Sequence, residues 1–158
     1  MPQLFLDCDG VLADFDRGAE PLLGSHPRVA EKQLGTEEFW RRLRAHPGFF
    51  SHLELMPDAM ELFEGVRHLG PVILTGCPAG HWSQPQKHAW AAHHFPGTPI
   101  ITCQSRNKRD HMRPGDILVD DFLKYRHLWE EAGGVFVHHK TARETLKHLE
   151  SLGVLRVG

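Results

Sequence analysis

The chain has 158 residues, of which 41% are hydrophobic and 24% are charged, and its formal net charge is -2 at pH 7. This length is enough for one well-buried core but short for two independent domains, so we expect one domain that carries one insertion. Acidic and basic residues are interspersed without a basic stripe, which argues against a polymeric nucleic acid as the partner.

The cysteines and the apolar runs indicate the cellular compartment in which the protein is expected. Cys8, Cys77 and Cys103 are odd in number and widely spaced, which disfavours a disulfide framework and a zinc knuckle. No apolar run approaches membrane-spanning length, and the first residues do not resemble a secretion signal. We therefore expect a cytoplasmic protein without a membrane partner. The sequence makes no prediction of its oligomeric state.

The first apolar run of the chain ends in two carboxylates, Asp7 and Asp9, followed at once by Gly10. Alternate side chains of a strand point to opposite faces, so the two carboxylates share one face. A strand of this kind delivers acids to the edge where open α/β sheets bind ligands. The alternative is a solvated strand end in which Asp-Gly makes only a turn.

Residues 16–55 follow as helical pieces broken by prolines and glycines, without a convincing strand. A helix that begins near Pro57 then leads to a continuous apolar strand at 72–74, as expected for a parallel strand that is covered on both faces. This second strand ends in Thr75 and Gly76. A polar, glycine-containing strand end therefore occurs twice.

Strands and helices alternate through the rest of the chain, which predicts right-handed βαβ units around a parallel sheet. One of these helices is predicted to carry Phe122, Tyr125 and Trp129 on one face, ahead of a final strand at 135–137. The other strand ends carry polar residues in this order: Arg106 and Lys108 after a strand at 100–101, and Asp120 and Asp121 after a strand at 117–119.

The carboxyl ends of parallel strands meet at one edge of a sheet, so these polar residues are expected to lie together. Carboxylates bind Mg²⁺, while a hydroxyl, a backbone N–H and an ammonium group neutralise the charge of a phosphate. Each residue alone has a simpler explanation, such as a helix cap or a solvated charge. Their joint occurrence at four strand ends predicts phosphoryl transfer.

With these motifs in this order, the sequence resembles the haloacid dehalogenase superfamily of aspartate-dependent phosphohydrolases over nearly its whole length. Residues 7–15, 47–50 and 117–121 also resemble the 5'(3')-deoxyribonucleotidase group. The resemblance implies a Rossmann-like three-layer α/β fold with a central parallel sheet. A small α-helical cap is implied after the first strand, with the boundaries 1–15 and 56–158 for the core and 16–55 for the cap.

The resemblance also implies the role of each motif residue. Asp7 is the implied nucleophile, which forms an aspartyl-phosphate, and Asp9 is the general acid and base. Lys87 is a weaker candidate than Lys108 for the motif lysine. Mg²⁺ is the implied cofactor. Its implied ligands are Asp7, the backbone carbonyl of Asp9, and Asp120 or Asp121, and the implied phosphate-binding residues are Thr75, Gly76 and Lys108.

The implied substrate is a small phosphate ester, which we expect to be a (deoxy)nucleoside monophosphate. The alternatives are a sugar phosphate or another small phosphometabolite and, in another class, a non-catalytic phosphate-binding or phosphorelay receiver-like module. Gly76 stands where that group often has a hydroxyl residue, which removes one side-chain contact. The expected substrate pocket comprises Phe15, Phe39, Trp40, Phe49 and Arg106, although the aromatic residues could instead form the core of the cap.

Overall fold

The computed structural model describes residues 1–156, and its centre is one sheet of five parallel strands. The strands are β1 (Leu4–Leu6), β2 (Val72–Gly76), β3 (Ile100–Cys103), β4 (Ile117–Asp120) and β5 (Val135–His138). Their order in the sheet is β3-β2-β1-β4-β5. Leu6 of β1 pairs with Ile73 on one side and with Val119 on the other, so the ends of β2 and β4 flank the end of β1.

Helices connect the strands as the alternating pattern predicts. The α-helices are α1 (Phe15–Leu23), α2 (Pro27–Leu34), α3 (Thr36–Ala45), α4 (Ala59–Val66), α5 (Ser83–His94), α6 (Arg126–Glu131) and α7 (Ala142–Ser151). Short 3₁₀ helices cover Phe50–His52, Arg67–Leu69 and Ser105–His111.

Both faces of the sheet are covered by hydrophobic residues, which explains why the strands are apolar without alternation. Leu4 and Leu6 belong to the larger buried cluster, which includes residues of α4, α5 and α7. Phe5 points to the opposite face, where it packs against Trp129 of α6 with 5.7 Å between the ring centroids. The predicted three-layer, Rossmann-like α/β fold is therefore confirmed.

Three helices, α1 to α3, lie between β1 and α4 and pack against one another. The segment between α3 and α4 is joined to α5 by two hydrogen bonds. The indole N–H of Trp90 donates to the Leu53 carbonyl at 2.7 Å, and the backbone N–H of Phe50 donates to the Gln86 side chain at 2.8 Å. The segment that leads from α3 to α4 is thus fixed relative to the helix that follows β2.

The helix after β4 is shorter than the sequence pattern predicts. Phe122 and Tyr125 precede α6, and Phe122 is 47% exposed rather than part of an apolar helix face. The cause is local, because the Asp120 carboxylate accepts a hydrogen bond from the Phe122 backbone N–H at 3.0 Å. Such a bond favours a turn over a helix. The segment before α6 therefore remains a loop at the sheet edge.

No helix within residues 1–156 has both the length and the apolar character needed to cross a membrane.

Candidate active site

Asp7 lies at the carboxyl end of the central strand, where its backbone N–H donates to the Val119 carbonyl at 2.9 Å. The chain then turns sharply, and Gly10 adopts a left-handed φ of 85°. A Cβ at this position would also overlap the Asp121 carboxylate. Glycine is therefore required at this turn for its conformation and for the close approach of Asp121, the acid that follows β4.

Lys108 links the ends of the first and fourth strands. Its ammonium nitrogen lies 2.8 Å from Asp7 Oδ1 and 3.0 Å from Asp120 Oδ2, and the side chain is buried. Lys108 belongs to the 3₁₀ helix Ser105–His111, which follows β3. Three separate strand ends therefore converge on one ion-pair network.

Asp7, Asp120 and Asp121 form an acidic cluster in which one carboxylate oxygen of each residue lies within 4.8 Å of the others. When all three carboxylates are ionised, Lys108 can offset only one of their negative charges. A compact set of carboxylate oxygens with excess negative charge fits a hard divalent cation such as Mg²⁺. The Asp9 side chain is not part of this cluster, because it bonds to Lys87 instead.

The pKa values of the cluster reflect this crowding. Burial and the charge of Asp120 raise the pKa of Asp7 to about 6, although Lys108 opposes the shift. Burial and the charges of Asp7 and Asp120 raise the pKa of Asp121 to about 9. A bound cation would lower both pKa values, since it stabilises the ionised carboxylates.

Asp9 and Thr75 are joined by Lys87, which projects from α5. The Lys87 ammonium lies 2.8 Å from each of three acceptors: Asp9 Oδ2, Thr75 Oγ1 and the Gly76 carbonyl oxygen. Because the lysine donates to the Thr75 oxygen, the hydroxyl hydrogen of Thr75 is not used in this contact, and the Thr75 side chain is fully buried. Lys87 is 2% exposed, so the charge is almost completely shielded from water.

The other carboxylate oxygen of Asp9 has a different environment. Asp9 Oδ1 is buried and has no hydrogen-bond partner within the part of the chain that the structure describes. Burial raises the pKa of Asp9 above its usual value, against the charge of Lys87. An unpartnered oxygen of this kind is suited to bind or carry a proton at a reacting group.

A cavity of about 700 Å³ opens above Asp7 and Asp9. Phe15, Phe39, Trp40 and Arg106 line it, together with Gly76 and Lys108. Phe49 does not line the cavity. It is 3% exposed and packs edge-on against Phe15 with 5.7 Å between the ring centroids. Of the expected pocket residues, Phe49 is thus found in the aromatic core behind the cavity wall.

The contacts of Lys87 were not predicted from the sequence, which favours Lys108. A signal was available, because Lys87 shares the inward face of α5 with Trp90 and Ala91 at helical spacing. A lysine on an apolar helix face requires a buried partner. Its ammonium also lies 4.5 Å from the centre of the Phe50 ring, which connects it to the segment before α4.

Comparison with protein families gives one match, covering well over half of the chain. The sequence profile of the family described as 5' nucleotidase, deoxy (pyrimidine), cytosolic type C protein matches residues 28–151. The matched range contains Thr75, Lys108 and the Asp120-Asp121 pair, while Asp7 and Asp9 precede it. No curated protein sequence matches the chain in a direct sequence comparison.

Solved structures of haloacid dehalogenase (HAD) proteins resemble this fold along its whole length. A HAD phosphatase from Thermococcus onnurineus is 16% identical, with a TM-score of 0.58 and coverage of 99% of this chain and 100% of that chain. A HAD family hydrolase from Deinococcus radiodurans R1, with bound phosphate and sodium, is 12% identical, with a TM-score of 0.58 and coverage of 100% and 99%. L-2-haloacid dehalogenase from Xanthobacter autotrophicus is 15% identical, with a TM-score of 0.60 and coverage of 99% and 85%.

Proposed function

Because the chain belongs to the family of 5' nucleotidases, deoxy (pyrimidine), cytosolic type C, and is a phosphatase of the HAD superfamily, we propose that it hydrolyses nucleoside monophosphates through an aspartyl-phosphate. The observation that carries this proposal is the environment of Asp7. Its carboxylate faces the cavity at the end of the central strand, beside a buried ammonium group and two further acids.

Asp7 is the proposed nucleophile. One of its carboxylate oxygens forms a bond to phosphorus while the bond from phosphorus to the leaving oxygen breaks. Lys108 holds Asp7 Oδ1 at 2.8 Å and restricts the carboxylate to one orientation. The same ammonium offsets part of the repulsion between the carboxylate and the anionic phosphate.

Asp9 is the proposed acid and base. Lys87 holds Asp9 Oδ2, so the proton is carried on Oδ1, which has no other partner within residues 1–156. Asp9 donates this proton to the leaving oxygen and becomes a carboxylate. It then accepts a proton from the water that hydrolyses the aspartyl-phosphate, which releases phosphate and restores both acids.

We propose Mg²⁺ as the cofactor, held by Asp7, the backbone carbonyl of Asp9, and Asp120 or Asp121. The crowded carboxylates and the raised pKa values of Asp7 and Asp121 support a divalent cation here. When bound, the ion supplies positive charge that stabilises the phosphate and the ionised acids. The remaining steps are carried out by the side chains described above.

The proposed substrate pocket lies between the sheet edge and residues 16–55, which we assign as a cap. Phe15 and Trp40 line the cavity and offer aromatic faces for a nucleobase, and the volume of about 700 Å³ is sufficient for a nucleotide. A sugar phosphate is the second candidate substrate. Three free cysteines and the family description support a cytoplasmic location.

The test is Mg²⁺-dependent release of phosphate from p-nitrophenyl phosphate. Asp7→Asn is expected to abolish turnover, because an amide is a very poor nucleophile toward phosphorus. Asp110→Asn is a matched control, since Asp110 is exposed on the same 3₁₀ helix as Lys108 and does not line the cavity. Full turnover by Asp7→Asn would exclude the aspartyl-phosphate mechanism.

The substrate assignment has its own experiment. The wild-type enzyme is assayed with deoxynucleoside 5'- and 3'-monophosphates and with sugar phosphates of similar size. We expect the highest kcat/KM with nucleoside monophosphates. A preference for sugar phosphates would retain the phosphatase mechanism and reject the nucleotide specificity.

A further inference from the structure

A hydroxyl from another strand end fills the space beside Gly76. A Cβ built on Gly76 would overlap Ser105 Oγ and would lie 3.0 Å from Ser105 Cβ. The backbone of Gly76 does not itself require glycine, since Gly76 is not among the residues with positive φ. The approach of Ser105 is therefore the reason that a side chain does not fit at this position.

Ser105 also shares a helix face with the lysine that contacts the nucleophile. It is the first residue of the 3₁₀ helix Ser105–His111, and Lys108 follows three residues later. A 3₁₀ helix has three residues per turn, so side chains at i and i+3 lie on the same side. Because Lys108 reaches Asp7, the Ser105 side chain is on the side of the helix that faces the nucleophile.

Both observations place a small hydroxyl group at the floor of the cavity. Ser105, Gly76, Lys108 and Asp7 line the same cavity. The end of β2 contributes the backbone of Gly76 there but no side chain, since Thr75 is fully buried and does not line the cavity. The loop after β3 contributes the hydroxyl.

We propose that Ser105 Oγ donates a hydrogen bond to a phosphoryl oxygen of the substrate and thereby binds the group that Asp7 attacks. This role rests on the proposed function, because it assumes that the phosphoryl group lies between Asp7, Lys108 and the end of β2. A hydroxyl donor aimed at this group stabilises the charge on its oxygens. The Ser105 hydroxyl thus takes the place of a side chain that position 76 lacks.

The first test compares Ser105→Ala with Asn107→Ala. Asn107 is exposed on the same 3₁₀ helix and does not line the cavity, so it is the matched control. Removing a hydrogen bond to a charged ligand is expected to lower kcat/KM for p-nitrophenyl phosphate about tenfold or more. The inhibition constant for inorganic phosphate is expected to rise by a similar factor. Asn107→Ala is expected to change neither value.

A second set of variants separates hydrogen bonding from packing. In Gly76→Ser/Ser105→Gly the hydroxyl moves from one strand end to the other, and in Gly76→Ala/Ser105→Gly only the volume is replaced. We expect the serine double variant to bind inorganic phosphate more tightly than the alanine double variant. Phosphate binding by both double variants that is as tight as that of the wild type would assign Ser105 to packing alone and would overturn the proposal. Gly76→Ser alone is expected to be impaired, because its Cβ would overlap Ser105 Oγ.

The outcomes for Ser105 and for the proposed function are distinct. If the wild type turns over phosphate esters and Ser105→Ala matches it in kcat/KM and in phosphate inhibition, the Ser105 proposal fails and the phosphatase remains. If the wild type releases no phosphate from any ester, the proposed function fails. Calorimetric titration of the wild type and Ser105→Ala with inorganic phosphate then decides whether Ser105 binds a phosphoryl group. Equal affinities, or no binding by either protein, would reject it.

Discussion

The Lys87 ammonium lies 2.8 Å from Asp9 Oδ2, a contact that joins the helix after β2 to the loop after β1. The lysine also donates to Thr75 and to the Gly76 carbonyl, so its three hydrogens are all used. One oxygen of Asp9 is thereby fixed, while Oδ1 has no hydrogen-bond partner within residues 1–156. The pair defines the orientation of the proposed general acid.

Replacing Lys87 by methionine is expected to impair protonation of the leaving group more than phosphate binding. Without the ammonium, Asp9 loses its fixed orientation, and general acid catalysis of this kind contributes roughly 100-fold or more to the rate. We expect kcat/KM to fall about 100-fold for an alkyl phosphate, whose leaving oxygen must be protonated. The decrease should be smaller for p-nitrophenyl phosphate, because nitrophenolate leaves without a proton.

A control and a contrary result define this experiment. His88→Ala changes the exposed neighbour of Lys87 and should leave both rates unchanged, since His88 does not line the cavity. Circular dichroism checks that Lys87→Met remains folded. Equal losses of kcat/KM for both esters in folded Lys87→Met would show that Lys87 has no specific effect on Asp9.

Gly10→Ala is expected to weaken Mg²⁺ binding in addition to lowering stability. The left-handed φ of 85° costs about 1 kcal/mol or more for alanine, and the added Cβ would displace the Asp121 carboxylate. Gly24→Ala is the matched control, because Gly24 has φ 83° and an open space around its Cβ. Both variants should lower Tm, but only Gly10→Ala should reduce Mg²⁺ affinity in a calorimetric titration. Equal Mg²⁺ affinities in the two variants would contradict the prediction.

The strand ends could be predicted from the sequence because each is a local pattern, an apolar run followed by polar residues. Parallel pairing then brings Asp7, Thr75 and Asp120 to one edge in any fold of this class. The Lys87–Asp9 contact joins residues 78 positions apart and depends on how α5 packs, which no local pattern contains. The burial of Phe49 depends in the same way on how neighbouring aromatic residues pack.

The predicted start of the helix after Asp120 was wrong, because a side-chain hydrogen bond competes with helix formation there. The apolar spacing of Phe122, Tyr125 and Trp129 is typical of a helix face, yet only Trp129 lies in α6. The Asp120 side chain binds the Phe122 N–H and keeps the intervening residues in a loop. A helix-period pattern does not reveal such a side-chain to backbone bond, because the periodicity considers only apolar residues.

The stabilisation of the protein by Mg²⁺ is expected to increase with pH. The pKa of Asp121 is raised from 3.8 to about 9, so the folded, metal-free protein binds more protons than the unfolded chain between these values. Its unfolding free energy therefore falls as pH rises through this window. Mg²⁺ binds the ionised carboxylates and removes this loss, so the increase in Tm caused by Mg²⁺ should be larger at about pH 8 than at about pH 5.

Asp121→Asn provides the control for this pH dependence. The variant lacks the carboxyl group whose pKa is raised most in the cluster. Its Mg²⁺-dependent increase in Tm should therefore vary less with pH. Differential scanning fluorimetry with Mg²⁺ and with a chelator measures both proteins. The same Mg²⁺-dependent shift of the wild type at both pH values would contradict the assigned cation site.

Trp40 and Phe49 are expected to differ in function, although both belong to the cluster of aromatic side chains around Phe15. Trp40 lines the cavity, so Trp40→Ala should raise KM for a deoxynucleoside monophosphate by about tenfold or more, through the loss of base stacking worth roughly 1–3 kcal/mol. KM for deoxyribose 5-phosphate, which has no base, should change little. Phe49→Ala removes a buried ring and should instead lower the unfolding free energy by about 3–5 kcal/mol. Equal effects of Trp40→Ala on both substrates would remove Trp40 from base recognition.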